Sequence, residues 1–407
     1  MRLSTERWDP LLMIKRSPDV CAPRRDLRLP DFVGASGDTA RILDALAVLI
    51  IGAGSIGLAA IEHLARLQIG AIGVVDPADL KDESLLTHPI GRDALGRRKA
   101  RYAAKRARSI SPVSRIGYHA GRAQDLPLST FARTDVIILA SDNLEAERDV
   151  GARAMTLGIP LVQGSVHGES LTAQVRFFGC ATPDSACPAC SFSAREWRDL
   201  EASVAYSCAG AGAGPATVGV APAKLPTRSP SSLCALAASL VVHQVLRHIL
   251  RLGKPVEDTV LTYCGYGREH APSPLRRREG CPLAHERFER VHVARPVATH
   301  SLREIAYMVG LDAERLGRDI SFSIGDRSFV EQATCCGRAR EVRRFATAGD
   351  SAGACPQCGG GLCAEPFYAR RSVGADEVDL ARPLSHLGAS GAPEVLVRCG
   401  ARAILVL

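Results

Sequence analysis

What this chain lacks narrows its class before any motif is read. No apolar run approaches the ~20 residues a helix needs to cross a bilayer. The first residues, MRLSTERWDPLLMIKRS, hold no continuous apolar segment of the signal-peptide kind. These two absences argue against a membrane or exported protein, and a cytoplasmic one is expected. Charge is not concentrated either. The 51 Lys and Arg against 43 Asp and Glu leave a net +8, and the arginines are dispersed apart from Arg276–Arg278. That spread fits a solvated surface better than a nucleic-acid patch, so no nucleic-acid partner is expected. Cysteine, by contrast, is plentiful, with 14 in 407 residues. The close pairs Cys187/Cys190, Cys335/Cys336 and Cys355/Cys358 point to metal ligation rather than disulfides.

The stretch from Val48 to Asp76, VLIIGAGSIGLAAIEHLARLQIGAIGVVD, carries the strongest local signal. Val48–Ile51 shows no polar alternation and suits a strand buried on both faces. Gly52, Gly54 and Gly57 form G-x-G-x-x-G, which serves a tight turn, a phosphate approach and close helix–strand packing. A helix over about 55–67 would aim its free N–H groups at a bound anion. Asp76, ending the next strand, is placed to accept from ribose hydroxyls. This much indicates a nucleotide without saying which one.

The rhythm that follows is that of a doubly wound α/β domain. A helix is expected over 99–109, a strand over 115–119 and a buried strand over 135–140 that delivers Ser141, Asp142 and Asn143 to its end. A helix over 145–157 and strands over 160–164 and 173–178 come next. Residues 191–232 read as an exposed crossover loop, and 232–252 as a long core helix stopped at Gly253. Residues 1–45, broken by Pro10, Pro18, Pro23 and Pro30, read as an arm. Beyond about 290 the composition changes to a smaller α+β module with a helix near 300–311, strand-like 321–335, a cysteine-rich part and a closing hairpin.

Four motifs in order make residues 45–290 resemble the ubiquitin-activating-enzyme-like adenylyltransferases, the superfamily of the ThiF, MoeB and HesA proteins. They are Gly52–Gly57 with Asp76, Thr87-His-Pro-Ile-Gly-Arg-Asp-Ala-Leu-Gly-Arg-Arg-Lys99, Ala140-Ser-Asp-Asn143 with Arg148, and Cys187-Pro-Ala-Cys190. The resemblance implies a Rossmann-like domain over 46–290 with a zinc knuckle; the change of composition and the later cysteine pairs add an expected zinc-binding module over 291–407. It implies attack of a carboxylate on the α-phosphate of ATP. The site would comprise Gly52, Gly54, Ser55, Ile56, Gly57, Asp76, Lys99, Asp142 and Asn143, with Lys99 near the phosphates and Asp142 on Mg²⁺. The acyl partner would be a ubiquitin-like or sulfur-carrier protein or a precursor peptide, with a conjugating enzyme as a further partner and a homodimer as the assembly.

One departure stands out. Where the family carries S-N-L-x-R-[QH], this chain reads Glu83-Ser-Leu-Leu-Thr-His88, so Ser84 replaces the usual Asn and Thr87 the usual phosphate-binding Arg. A charge-assisted contact of that kind is worth ~1.5–3 kcal/mol. Arg92, Arg97, Arg98 or an arginine of a partner's arm (Arg16, Arg24, Arg25, Arg28) would have to substitute. Failing that, the chain is a scaffold of the same fold. An oxidoreductase is the third reading, carried only by the glycine turn and Asp76.

Cys187 and Cys190 look like half of a tetrahedral zinc site, which Cys281 and His285 are expected to complete, the plainer account of Cys281 being an isolated thiol. Cys355-Pro-Gln-Cys358-Gly is a second knuckle, to be completed by Cys335 and Cys336, with Cys363 as the alternative to one of them. Cys208, in a glycine-rich loop, is the candidate thioester nucleophile, although a small residue beside a turn is the plainer account of it. Cys21, Cys180, Cys234, Cys264 and Cys399 read as bystanders.

Overall fold

The computed structural model describes residues 12–13, 32, 34–35, 37–201, 229–254, 257–347, 352–364 and 369–407. They divide into two compact units, one of Met1–Leu126 with Thr130–Glu286, the other of Pro127–Ser129 with Arg287–Leu407.

In the first unit, apolar runs without alternation become the centre of one large sheet. β2 (Ala47–Ile51), β3 (Ala71–Val75) and β5 (Val136–Leu139) are buried at every position. They run parallel with β4 (Arg115–His119) and β6 (Leu161–His167). β7 (Thr172–Phe178), β8 (Thr259–Cys264) and β9 (Glu269–Pro274) extend the sheet antiparallel, and β1 (Leu12–Met13) pairs antiparallel with β4. The order is β1-β4-β3-β2-β5-β6-β7-β8-β9. The chain runs outward from β2 through β3 to β4, then returns to the other side of β2 with β5. Strand order therefore reverses between β2 and β5, and in open α/β sheets a ligand crevice opens there at the carboxyl ends.

Helices α1 (Thr39–Ala45), α2 (Ser55–Arg66), α3 (Ser84–Thr87), α4 (Lys99–Ile110), α5 (Leu128–Ala132), α6 (Leu144–Leu157), α7 (Ala194–Glu201) and α8 (Ser231–Ile249) complete this unit, except that Leu128 and Ser129 of α5 fall in the second. α4 packs closely because its inward face is only alanine: Ala100, Ala103, Ala104 and Ala107 are all buried. Contrary to the expectation that no apolar run approaches bilayer length, α8 is long and apolar enough to cross a bilayer by length and composition, because its few polar side chains are spread along 19 residues. Here Leu233, Ala237, Ala238, Val241, Val242 and Val245 join the core of α2 and the sheet, so α8 is a core helix.

The expected crossover loop of 191–232 instead opens with α7. Ser193 Oγ accepts from Glu196 N (3.2 Å) while Glu196 Oε2 accepts from Ser193 N (2.6 Å). This reciprocal S-x-x-E cap starts a helix ahead of the glycines. Residues 202–228 of that loop, Cys208 included, lie outside the described residues, as do Cys21 and the arm arginines Arg16, Arg24, Arg25 and Arg28.

The second unit holds two sheets. One has the order β10-β18-β17-β11-β16, from β10 (Glu289–Val291), β11 (Ile320–Ser323), β16 (Val373–Gly374), β17 (Val395–Cys399) and β18 (Arg402–Val406). The other pairs β12 (Ser328–Cys335) with β13 (Arg338–Ala346), β14 (Cys363–Ala364) and β15 (Ala369–Arg370). α9 (Leu302–Met308) is started by a capping box between Ser301 and Glu304, and α10 (Ala313–Leu316) by Asp312. β17 and β18 form the expected hairpin.

The first and third glycines of the turn after β2 are required by contact. Gly52 lies at φ +96°, and a Cβ there would meet Ala140 O at 2.6 Å; one on Gly57 would meet Gly52 O at 1.9 Å. Gly57→Ala is therefore expected to cost about 3 kcal/mol through overpacking, whereas Gly54→Ala, with space beside it, should melt like the parent. Calorimetry on both variants checks this, and equal melting temperatures would show that α2 can move off the sheet.

Candidate nucleotide site and metal centres

The switch point assembles the predicted residues from three strand ends. Gly54 caps α2 without any side-chain hydrogen bond, and the first turn of α2 carries no acid. Its leading N–H groups thus keep their capacity for an anion. Among the described residues, the nearest atom to a Cβ built on Gly54 is His88 Nε2, at 3.9 Å. Ser55 opens the helix. Ile56 is buried in the core, so its backbone alone can face a ligand.

Asp76 braces the turn as well as facing it. Oδ2 accepts from Ala53 N and Oδ1 from Ala78 N, both at 2.7 Å. Burial pushes this carboxyl upward, opposed by the Lys99 ammonium and the two N–H donors. One lone pair on each oxygen holds the protein, which leaves the other available for a ribose hydroxyl. Lys99 begins α4, where its N–H donates to Ala78 O at 2.9 Å, and its ammonium acts on both Asp76 and His88. Asp142 is exposed past the end of β5. Asn143 spends its side-chain oxygen capping α6, accepting from Ala146 N at 2.9 Å.

Behind Asp142 sits Glu147, which sequence reasoning passed over because a Glu in a first helical turn looks like an ordinary dipole-favoured surface charge. It is buried, and that burial pushes its carboxyl up to about 7; Asp142 and Glu196 add to the rise, Gln163 and Arg176 oppose it. His88 was visible as part of a motif but not as a site residue.

The two expected cysteine groups converge. Cys187, Cys190, Cys281 and His285 bring one ligand atom each within 4.8 Å of the others, as do Cys335, Cys336, Cys355 and Cys358. Cys363, the alternative ligand, is on β14 and not among the four. In a tetrahedral zinc site, Zn–S bonds of ~2.3 Å place sulfurs about 3.8 Å apart. Here Cys187 Sγ lies 3.6 Å from Cys190 Sγ and 3.9 Å from Cys281 Sγ, and Cys190 Sγ lies 3.6 Å from His285 Nε2. Cys335 Sγ lies 3.7 Å from Cys336 Sγ and 3.4 Å from Cys358 Sγ. The donors fit a thiophilic divalent ion.

Local structure explains both convergences. Asp258 accepts from Gly179 N (3.0 Å) and Ala186 N (3.2 Å), which ties the loop carrying Cys187 to the start of β8. Arg278 donates to Phe192 O at 3.0 Å, which holds the loop carrying Cys281 to the other side of the knuckle. In the second cluster, Cys336 (φ +55°) and Gly337 (φ +68°) make the two-residue turn between β12 and β13. A left-handed residue there breaks the usual alternation, so adjacent thiols meet. The Cys355 thiol is pushed down to about 6, first by the Gln357 N–H and then by the Cys358 N–H.

A doubly wound sheet, a glycine turn leading into a helix and a cysteine knuckle define a protein of the Rossmann-like α/β class. The model of the ThiF family matches residues 24–283, and the chain belongs to that family. It is 26% identical over 264 residues to the "Sulfur carrier protein adenylyltransferase" of Thermus thermophilus, across 64% of this chain and 88% of that one. It is 27% identical over 267 residues to the "Probable adenylyltransferase/sulfurtransferase MoeZ" of Mycobacterium tuberculosis, across 65% of this chain and 62% of that one. It is 27% identical over 262 residues to the "SAMP-activating enzyme E1" of Haloferax volcanii, across 63% and 86%.

Glu147 yields a prediction with a definite sign. Its folded value, about 7, lies above its ordinary 4.5, so its contribution to stability is lost as pH rises through that window. Glu147→Gln should therefore melt above the parent at pH 8, with the gap closing as pH falls toward 5. Thermal melts across that range check it; a gap independent of pH would mean the carboxyl is ionised when folded.

Proposed function

We propose that this chain uses ATP to adenylate the C-terminal carboxylate of a small carrier protein or a peptide. The observation that carries this is the arrangement around Gly54, where an uncapped helix start faces Lys99, Asp76 and the exposed Asp142. ATP supplies an electrophilic α-phosphorus, to which a carboxylate oxygen bonds as the bond to pyrophosphate breaks. The chain's residues would bind and neutralise charge: backbone N–H groups at Gly54–Gly57 and the Lys99 ammonium on the phosphates, Asp142 on Mg²⁺, Asp76 on the ribose. An oxidoreductase has no use for a cation and a metal-binding carboxylate placed together there. The names of the relatives, which refer to a sulfur-carrier protein and to SAMP activation, support a protein carboxylate. A conjugating enzyme would act next, and the setting would be the cytoplasm.

Lys99→Ala should lower pyrophosphate–ATP exchange ~100-fold or more, the loss of one preorganised electrostatic contact. Asp142→Asn should act similarly without lowering the melting temperature. Exchange that persists in both variants would remove Lys99 and Asp142 from the site, and ATP binding without exchange for any carrier or peptide tried would favour the scaffold reading.

We further propose zinc as the ion of both cysteine clusters and a two-fold dimer as the assembly. Sulfur-rich ligands at tetrahedral spacing support the first. The second rests on the missing guanidinium at Thr87, which an arm of a partner could replace. Native mass spectrometry reads both at once: twice the 43.3 kDa of the chain, with two zinc ions per chain. A monomer, or less than one zinc per chain, contradicts the corresponding half.

A further inference from the structure

We propose that His88 takes over a phosphate contact of the nucleotide, donating from Nε2–H to a phosphoryl oxygen beside Gly54, with Thr87 setting the tautomer. The inference rests on the nucleotide reading above and gives a role to a residue that lies in the motif ending at Lys99 but was not among the expected site residues.

The geometry is local. α3 ends at Thr87, and His88 caps it in an extended conformation with its N–H held by Ser84 O at 2.8 Å. The ring is thereby turned toward the start of α2. Thr87 Oγ1 lies 2.8 Å from His88 Nδ1. With the hydroxyl donating, the imidazole proton belongs on Nε2. That atom is buried and has no hydrogen-bond partner among the described residues. It is also the atom nearest to the open side of Gly54, the glycine that leaves room for a phosphate. A buried donor without an acceptor is unfavourable, and a phosphoryl oxygen at this position would satisfy it. Burial, and after it the Lys99 ammonium, push the ring down to about 4, so it is neutral at physiological pH and donates from one nitrogen only.

The substitution has a chemical logic. Where the family motif places an arginine, Thr87 and His88 together provide a fixed neutral donor, while Lys99 provides the charge. The contact loses the guanidinium's second N–H and its charge, and it keeps direction.

Calorimetric binding of ATP·Mg²⁺ and of adenosine tests this on the full chain. His88→Phe keeps the ring volume and removes the donor. It should weaken ATP about tenfold or more while leaving adenosine unchanged. His88→Gln restores an N–H and should return ATP affinity to within about threefold of the parent. In ¹⁵N spectra of ring-labelled histidine, the ATP-bound parent should carry the His88 proton on Nε2, and Thr87→Val should shift that balance and weaken ATP. If His88→Phe does not fold, the tautomer and the Thr87→Val affinity decide. Parent-like ATP binding in His88→Phe alongside impaired Lys99→Ala, or a proton on Nδ1 in the ATP-bound parent, overturns the proposal and leaves the proposed function standing. A parent that binds no ATP overturns both.

Discussion

Everything at the switch point depends on one close approach, that of α2 to the carbonyls of the turn beneath it. Gly57 lies so near Gly52 O, and Gly52 so near Ala140 O, that no side chain fits at either position. The contact links the ends of β2 and β5 and the start of α2 into one rigid corner. Gly52 N–H donates to Val75 O and Ala140 N–H to Ile51 O, both at 2.8 Å, so β3 and β5 are registered to the same corner. Asp76 completes it from β3 by accepting from Ala53. A ligand-facing surface made largely of backbone is thus positioned by packing, and backbone donors held this way need no reorganisation when charge arrives.

The electrostatics follow from where that corner lies. Carboxyl ends of strands gather Asp76, Asp142 and, behind them, Glu147, which would repel one another if all were ionised and unscreened. Lys99 at the start of α4 offsets the first, and exposure to solvent the second. Burial pushes the carboxyl of Glu147 up to about 7. The site is therefore graded, from a shielded carboxyl in the interior to exposed charge at the mouth, where a metal ion and polyphosphate would be accommodated.

Much of this was legible in the residues, for identifiable reasons. Buried strands announce themselves as runs such as Val136–Leu139, and the three glycines report a steric demand that only glycine meets. Cysteine spacing brought out both clusters because ligation constrains sequence tightly, and Cys281 with His285 could be paired to Cys187 across the long helix. Other features were less visible. The α7 cap was masked by neighbouring glycines, and Glu147 carries no local mark of its burial, which arises from tertiary packing of α6 on the sheet. Asp258 clamps the knuckle loop from 72 and 79 residues away, a pairing that no local pattern encodes. Thr87 reads in sequence as a loss; only the position of the neighbouring ring gives it a partner.

The two cysteine clusters also differ in how much chain they enclose. In the first, Cys187 and Cys281 are 94 residues apart, and the loop between them includes α7, α8, β8 and β9. In the second, Cys335 and Cys358 are 23 apart, around a hairpin and a tight knuckle. Closing the longer loop costs about 1 kcal/mol more in chain entropy than closing the shorter, since that cost grows only as the logarithm of length. What separates the two more sharply is order of assembly. The short loop can close as soon as its hairpin exists, whereas the long one can close only after the sheet has brought β7 and β8 together. With a metal bound, the first cluster would therefore fasten a domain already folded, and the second would close early around a small, thinly cored sheet.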